Sequence, residues 1–336
     1  MSQVFIETKK RYAWVDYAKF LSIFLVVYFH CPPPLEGIPA ILLGLIRMPC
    51  FYFLSGFLFR FDKYPSFIGF VKHRSKQLLI PYFCFFILFY IYWIILGKAS
   101  GGLEDINASY YQPILEYLYG RPNLVCTPLW FVAALFALQC VFYGFHRLFK
   151  QRVLIIIVSF IASFIPLFID LSNSPWMLEN VCAALPFYSI ASLYRKEIFN
   201  IIEQKKSIFF SFVSLILFVF IVFILDASPN MYWRSPLKTI GSFSVLFPVL
   251  VSAKYLSGLF GRIRFIEYIA LNAIIVLAIH TYMIRIITLV VSNKSLFEEN
   301  YIKLLMAVVI TAFMIIPIYL INKYMPFIVG KGKLRK

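Results

Sequence analysis

The sequence carries little charge and is especially poor in acids. Charged residues make up 14% of its 336 positions, and Asp and Glu together number 15, whereas hydrophobic residues make up 62%. A soluble chain of this length could not bury so much apolar surface. The composition therefore indicates an integral membrane protein in contact with the lipid bilayer.

The sequence also gives no sign of a nucleic-acid-binding surface or of a metal or cofactor site, which basic or Cys-containing chains often carry. The net charge of +17 is spread over short loops between apolar runs, so no nucleic-acid partner is expected. The six cysteines show no CxxC or Cys/His spacing, so neither a metal site nor a bound cofactor is expected. Cys31 and Cys126 both fall on the predicted outer side and could pair.

Apolar runs near the length of a membrane span recur ten times. They predict an all-α, polytopic membrane protein with about ten transmembrane helices in a single domain, 1–336. The sixth run is short, and the ninth is long enough to be tilted or broken. The predicted spans are 12–30, 40–59, 78–96, 128–145, 153–169, 181–194, 207–225, 239–256, 266–290 and 303–322.

Lys and Arg alternate between the loops and so predict the orientation. They concentrate in every second loop and at both ends of the chain, and these parts are therefore predicted to be cytoplasmic. The outer loops hold only Lys98, Arg121, Arg234, Lys238 and Lys294. The pattern predicts a multi-pass protein of the cell's inner (cytoplasmic) membrane with both termini in the cytoplasm. The longest outer loop, 97–127, is rich in Tyr and could cover a site.

The first span, "DYAKFLSIFLVVYFH", contains three ionisable residues, and such residues are expensive in hydrocarbon and usually functional. Lys19 and His30 are eleven residues apart, which on an α-helix places them within about 20° of each other and about 16 Å apart along the axis. Asp16 precedes Lys19 by three residues and could form an ion pair with it. We predict Asp16, Lys19 and His30 as the catalytic group.

Further ionisable residues are predicted to bind the donor or the acceptor. Arg47 lies in the outer half of the second span, beside the helix-breaking Pro49. The segment "KHRSKQLLIPY" places three cations, Lys72, Arg74 and Lys76, at the inner entrance to the third span. His280 and Arg285 lie toward the outside of the ninth span, and Lys303 is a further cation within the tenth run.

This arrangement predicts group transfer across the membrane. The inner cations would neutralise a donor that carries phosphates. The imidazole of His30 could take a proton from a hydroxyl near neutral pH. A cation such as Arg47 could stabilise the oxyanion that forms when a carbonyl is attacked.

The motifs resemble the integral-membrane acyltransferase 3 family, and within it the fucose 4-O-acetylase-like branch. The first span matches the family pattern Asp-x-x-(Arg/Lys)-x10-His, and "RMPCFYFLSGFLFR", "KQLLIPY", "TPLWFVAALF" and "LNAIIVLAIHTYM" are similar to its later segments. The resemblance implies transfer of an acyl group, usually acetyl from acetyl-CoA, to a hydroxyl of a glycan or lipid-linked sugar. His30 would be the base or transient acyl acceptor, Lys19 its basic partner, and Arg47 and Arg74 cations near the donor. Many members have Arg where this chain has Lys19.

Other interpretations stay open for each residue. His30 could end a helix at the interface, Asp16 and Lys19 could be a structural ion pair, and His280 could pack between helices. The basic residues around Arg74 follow the positive-inside rule whatever else they do. A transporter or flippase of a lipid-linked saccharide is the alternative function, although the sequence lacks the internal repeat that such proteins usually have. The oligomeric state and the identity of the acceptor are not predicted.

Overall fold

The computed structural model describes residues 12–97, 109–228, 234–291 and 299–331, and no β-strand occurs in these ranges. Fifteen α-helices form the described part of the chain. They are α1 (Ala13–His30), α2 (Gly37–Leu58), α3 (Phe67–Arg74), α4 (Ile80–Tyr92), α5 (Gln112–Leu118), α6 (Trp130–Leu148), α7 (Arg152–Phe164), α8 (Leu178–Leu193), α9 (Arg195–Glu203), α10 (Ser207–Ala227), α11 (Arg234–Phe260), α12 (Arg264–Leu271), α13 (Ala273–Val290), α14 (Asn300–Phe313) and α15 (Ile315–Tyr324).

Eight helical segments of the described chain are long and apolar enough to cross a membrane, which confirms the all-α polytopic class. They are Ala13–His30, Gly37–Leu58, Phe67–Gly97, Thr127–Leu148, Ser207–Ala227, Ser235–Phe260, Ala273–Val290 and Asn300–Tyr324. Shorter helices, α7 and α8, occupy the fifth and sixth predicted runs. Ten crossings and cytoplasmic termini stay predictions, and the basic residues Lys9, Lys10, Arg11, Lys333, Arg335 and Lys336 lie outside the described residues.

The helix that carries the predicted catalytic group lies at the centre of the bundle. α1 packs against α2, α11, α12, α13 and α14, and every one of its residues is at least partly buried. α10, in contrast, exposes large apolar side chains such as Phe209, Phe212 and Phe220 along its surface. Polar groups within a membrane protein are expected on buried helices of this kind, because burial against other helices spares them contact with hydrocarbon.

Two of the membrane segments are interrupted. The ninth run breaks at Asn272, whose side chain donates to the Tyr268 carbonyl and accepts from Asn322 and Lys331, so that α12 and α13 meet at a fixed polar joint. The third segment contains π-helical turns at Ser75–Leu79 and Trp93–Gly97. Such turns are common at functional sites, and the first of them immediately follows Arg74.

The two ends of the bundle are named by the loops they carry. The inner face carries residues 59–76 and 195–206, and the outer face carries residues 31–36 and 170–177. On the outer face α5 packs on α4, where the hydroxyl groups of Tyr82 and Tyr117 each donate to the other residue's carbonyl. The Tyr-rich loop is therefore fastened to the bundle from α5 onward, and residues 98–108 of it lie outside the described residues.

The turn that leads into α8 has a strained backbone. Trp176 and Met177 both adopt positive φ angles, 56° and 52°, a conformation that costs non-glycine residues roughly 1–3 kcal/mol each. The Trp176 amide donates to the Tyr119 carbonyl, and Gly120 lies so close that a Cβ there would approach the Trp176 Cα to 2.9 Å. The contact with this turn therefore requires glycine at position 120. The same contact fixes the direction in which α8 begins.

Candidate active site

Two histidines from distant parts of the chain meet in the outer half of the bundle. His30 ends α1 and His280 lies in α13, and their rings are 5.0 Å apart between centroids at an angle of 65°. The His280 Nε2 and His30 Nδ1 atoms are 3.3 Å apart. His280 is completely buried, whereas His30 is partly exposed and lines a cleft with Cys31, Pro34 and Thr288. The partly exposed ring is therefore the one that a substrate could reach.

Backbone carbonyls determine which nitrogen of each ring carries a proton. The His30 Nδ1 atom lies 2.8 Å from the Val26 carbonyl, and the His280 Nδ1 atom lies 2.8 Å from the Val276 carbonyl. A carbonyl can only accept, so both Nδ1 atoms are the protonated ones. The Nε2 atom of His280 then accepts from the same Nδ1–H of His30, which is shared between this atom at 3.3 Å and the Val26 carbonyl at 2.8 Å. The Nε2 lone pair of His30 has no hydrogen-bond partner among the described residues and can act as a base.

Two cations flank the His30 end of α1. The Arg47 guanidinium carbon lies 3.5 Å from the centroid of the Phe29 ring, and that ring contacts the His30 ring edge to face. Lys303 is fully buried, and its amine donates to the carbonyls of Cys31 and Pro33. Lys303 thus fixes the chain just after His30, and Arg47 adds positive charge beside it.

A cationic cavity of about 730 Å³, the inner cavity, opens on the inner face. Five Lys or Arg residues and a single carboxylate line it, together with the uncharged side chains of Tyr64 and Gln77 and the ring of His73. The charged residues are Asp16, Lys19, Arg60, Lys63, Arg74 and Arg195. Because the cations outnumber the acid, the inner cavity is suited to a ligand with several negative charges.

Backbone contacts hold the floor of the inner cavity in place. Arg195 donates to the Phe59 carbonyl, Tyr143 donates to the Tyr64 carbonyl and Arg147 donates to the Pro65 carbonyl.

Burial lowers the pKa of the Arg195 guanidinium from its usual range, and the positive charge of Arg60 lowers it further. The guanidiniums of Arg60 and Arg195 repel each other in this half-buried cavity, and an anion that binds between them would stabilise both.

A second cavity, the deep cavity, continues from the inner cavity toward the histidines. It has a volume of about 370 Å³ and shares Lys19, Leu58, Arg74, Gln77 and Leu271 with the inner cavity. Its other lining residues are mostly apolar and extend along α13 to Leu277. Leu277 precedes His280 by three residues, so the deep cavity ends one helical turn from the histidine pair.

The structure brings some of the predicted site residues together and separates others. Asp16, Lys19 and Arg74 line the inner cavity, and His280 contacts His30. Lys72 and Lys76 are exposed and do not line it. Arg285 is exposed as well, and its guanidinium donates to the Leu124 carbonyl, so it fastens an outer loop to α13.

Several lining residues were not predicted as site residues. The sequence identifies Arg60, Lys63 and Arg195 only as cations of the inner loops. Lys and Arg in such loops follow the positive-inside rule whether or not they bind a ligand. The cysteines Cys31 and Cys126, which could have paired, are both buried free thiols.

Comparison with known proteins identifies the family of the chain. No curated protein and no solved structure matches the chain significantly. The profile of one protein family, described as an acyltransferase domain, matches residues 12–323 and so covers nearly the whole chain. The chain belongs to the acyltransferase 3 family of membrane acyltransferases.

Proposed function

We propose that the protein transfers an acyl group, acetyl from acetyl-CoA, to a hydroxyl of a cell-envelope glycan or lipid-linked saccharide. The observation that supports the proposal is the sequence of cavities: a cationic cavity on the inner face continues into a mostly apolar one that ends one helical turn from His280, and His280 contacts His30. No bound cofactor is needed, because coenzyme A enters as part of the donor substrate and leaves as the free thiol.

The donor fits the two inner cavities in two parts. Coenzyme A carries its phosphates at the nucleotide end, where the cations of the inner cavity would neutralise them. Its pantetheine arm has no charge and suits the largely apolar deep cavity. Lys19 and His30 are about 16 Å apart along α1, a distance that the extended arm can span. The inner cavity would face the cytoplasm of a cell whose cytoplasmic membrane holds the protein.

The reaction then takes place at the Nε2 atom of His30. This atom accepts the proton of the acceptor hydroxyl, whose oxygen attacks the thioester carbonyl. The tetrahedral intermediate bears a negative charge that the Arg47 guanidinium would stabilise. Collapse of the intermediate breaks the carbon–sulfur bond, and the departing thiolate takes the proton from His30. Transfer through an acyl-histidine would start from the same lone pair.

Two measurements on the wild-type protein and His30→Ala test the proposal. Purified protein is incubated with acetyl-CoA and envelope saccharides from cells that lack the gene, and released thiol is followed by its reaction with a chromogenic disulfide. Mass spectrometry then scores the saccharides for the added acetyl mass. We expect both signals from the wild type and neither from His30→Ala. Wild-type protein that leaves acetyl-CoA intact would contradict the proposal and favour a transporter.

A further inference from the structure

A third cavity, the outer cavity, lies between α2, α8 and α11 and has a volume of about 520 Å³. It shares no residue with the inner or deep cavity, so the proposed donor path does not use it. Its polar and aromatic lining residues include Arg47, Tyr52, Trp130, Glu179, Asn180 and Lys238. A cavity with a carboxylate, an amide, a hydroxyl and cations is unusual within an apolar bundle and indicates a polar occupant.

Two of these polar groups are buried without a hydrogen-bond partner among the described residues. Tyr52 is 5% exposed, and its hydroxyl group has no such partner. The same holds for the Nε atom of Arg47, although its guanidinium stacks on Phe29. Buried polar groups are nearly always paired, because leaving one unpaired costs free energy. A ligand that donates and accepts hydrogen bonds would pair both groups.

The wall that α2 contributes is open and offers an additional acceptor. A Cβ atom built on Gly44 would meet no heavy atom within 4 Å, so this glycine faces free space in the cavity. Pro49 has no amide hydrogen and therefore leaves the carbonyl of Leu45, another lining residue, without its helical donor. Opposite, the strained turn at Trp176 and Met177 sets the start of α8, which carries Glu179 and Asn180.

We propose that the outer cavity binds the saccharide acceptor, with its reactive hydroxyl directed past Arg47 and Phe29 to His30. The inference rests on the proposed function and adds where the acceptor lies. The carboxylate, amide and hydroxyl side chains match the alternating donors and acceptors of a sugar ring, and Trp130 offers an aromatic face for its C–H surface. A lipid tail would leave the Tyr52 hydroxyl and the Arg47 Nε atom unpaired. The Phe29 ring contacts both the Arg47 guanidinium and the His30 ring.

The first test fills the outer cavity with a side chain. Gly44→Leu adds bulk where the protein has free space, so the fold is expected to tolerate it. We expect the KM for the saccharide extract to rise by at least about ten-fold, while the KM for acetyl-CoA stays within about two-fold of the wild type. Gly144→Leu on α6 is the matched control, because a Cβ there also meets nothing within 4 Å and Gly144 lines none of the described cavities.

The second test removes one hydroxyl. Tyr52→Phe is expected to raise the saccharide KM by about ten-fold, the loss expected for one hydrogen bond of about 1.4 kcal/mol. Tyr188→Phe is the control, because Tyr188 is also a buried tyrosine whose hydroxyl has no partner among the described residues, but it lines no cavity described here. Tyr188→Phe should therefore leave the saccharide KM at the wild-type value.

The outcomes separate this inference from the proposed function. Wild-type protein that transfers acetyl groups while Gly44→Leu and Tyr52→Phe keep the wild-type saccharide KM would overturn the outer-cavity assignment and leave the proposed function intact. A rise in the KM for acetyl-CoA instead would assign the cavity to the donor and overturn the inference as well. No consumption of acetyl-CoA by the wild type would contradict the proposed function itself.

Discussion

The inner cavity and the histidine pair are built in opposite ways. The inner cavity is wide, opens on the inner face and gathers five cations from four parts of the chain. The histidine pair is compact, with only the His30 ring partly exposed, and each ring is fixed by a carbonyl of its own helix. Charge acts over a distance and is shared among several groups, whereas proton transfer needs one lone pair in one place. The loss of a single residue should therefore be tolerated far better in the inner cavity than at the histidine pair.

His30→Ala should give the largest effect, because it removes the only base of the proposed reaction. We expect the rate of transfer to fall by about 10²- to 10⁴-fold, the usual contribution of a general base. The protein should remain folded, which size-exclusion chromatography and thermal unfolding would check. Appreciable acetylation of the saccharide by a folded His30→Ala variant would show that the reaction does not depend on this imidazole.

His280→Ala should have the next largest effect, although His280 is too buried to touch substrate. It removes the lone pair that orients the His30 ring, so kcat should fall by about 10- to 100-fold, as for other groups that orient a reactive imidazole. Both KM values should stay near the wild type. The pH–rate profile should shift, because the protonated His30 ring loses the acceptor atom that stabilises it. His280→Gln returns an acceptor atom and should recover part of the rate. Equal losses in both variants would indicate a packing role only.

Arg74→Ala should have a smaller effect, confined to the donor. Loss of one charged hydrogen bond to a phosphate would raise the KM for acetyl-CoA by about ten-fold, and kcat should change little. Lys72→Ala and Lys76→Ala are the controls, since both residues are exposed cations near Arg74 that do not line the inner cavity. They should change the KM by less than about two-fold. The same increase in all three variants would mean that general positive charge binds the donor.

Lys303→Met should affect stability more than rate. The variant leaves the carbonyls of Cys31 and Pro33 without their charged donor, which should lower the free energy of unfolding by about 1.5–3 kcal/mol. Thermal unfolding in detergent would measure the change, with Lys323→Met as the control because Lys323 is exposed and donates to Tyr319. Unchanged stability in Lys303→Met would show that the loop after His30 is held by other contacts.

The sequence predicts features that depend on helical periodicity and fails where distant segments meet. The eleven-residue spacing of Lys19 and His30 follows from the geometry of one helix, and the structure puts Lys19 in the inner cavity and His30 at the other end. The contact between His30 and His280 joins residues 250 positions apart, and no local pattern encodes it. Likewise, Arg195 reaches the inner cavity only because α8 returns the chain to that face. Its place in the cavity lining is therefore visible only in the structure.

The carbonyl bonds of the two histidines also determine how the site can be labelled. Because the Nδ1 atoms of both rings already donate to Val26 and Val276, an acylating or carbethoxylating reagent has a single open nitrogen, the Nε2 atom of His30. Its counterpart on His280 is completely buried and faces the other ring. Diethyl pyrocarbonate should therefore modify the pair once, on one residue and one atom. Peptide mapping of that adduct would give a chemical reporter of the pair in intact membranes.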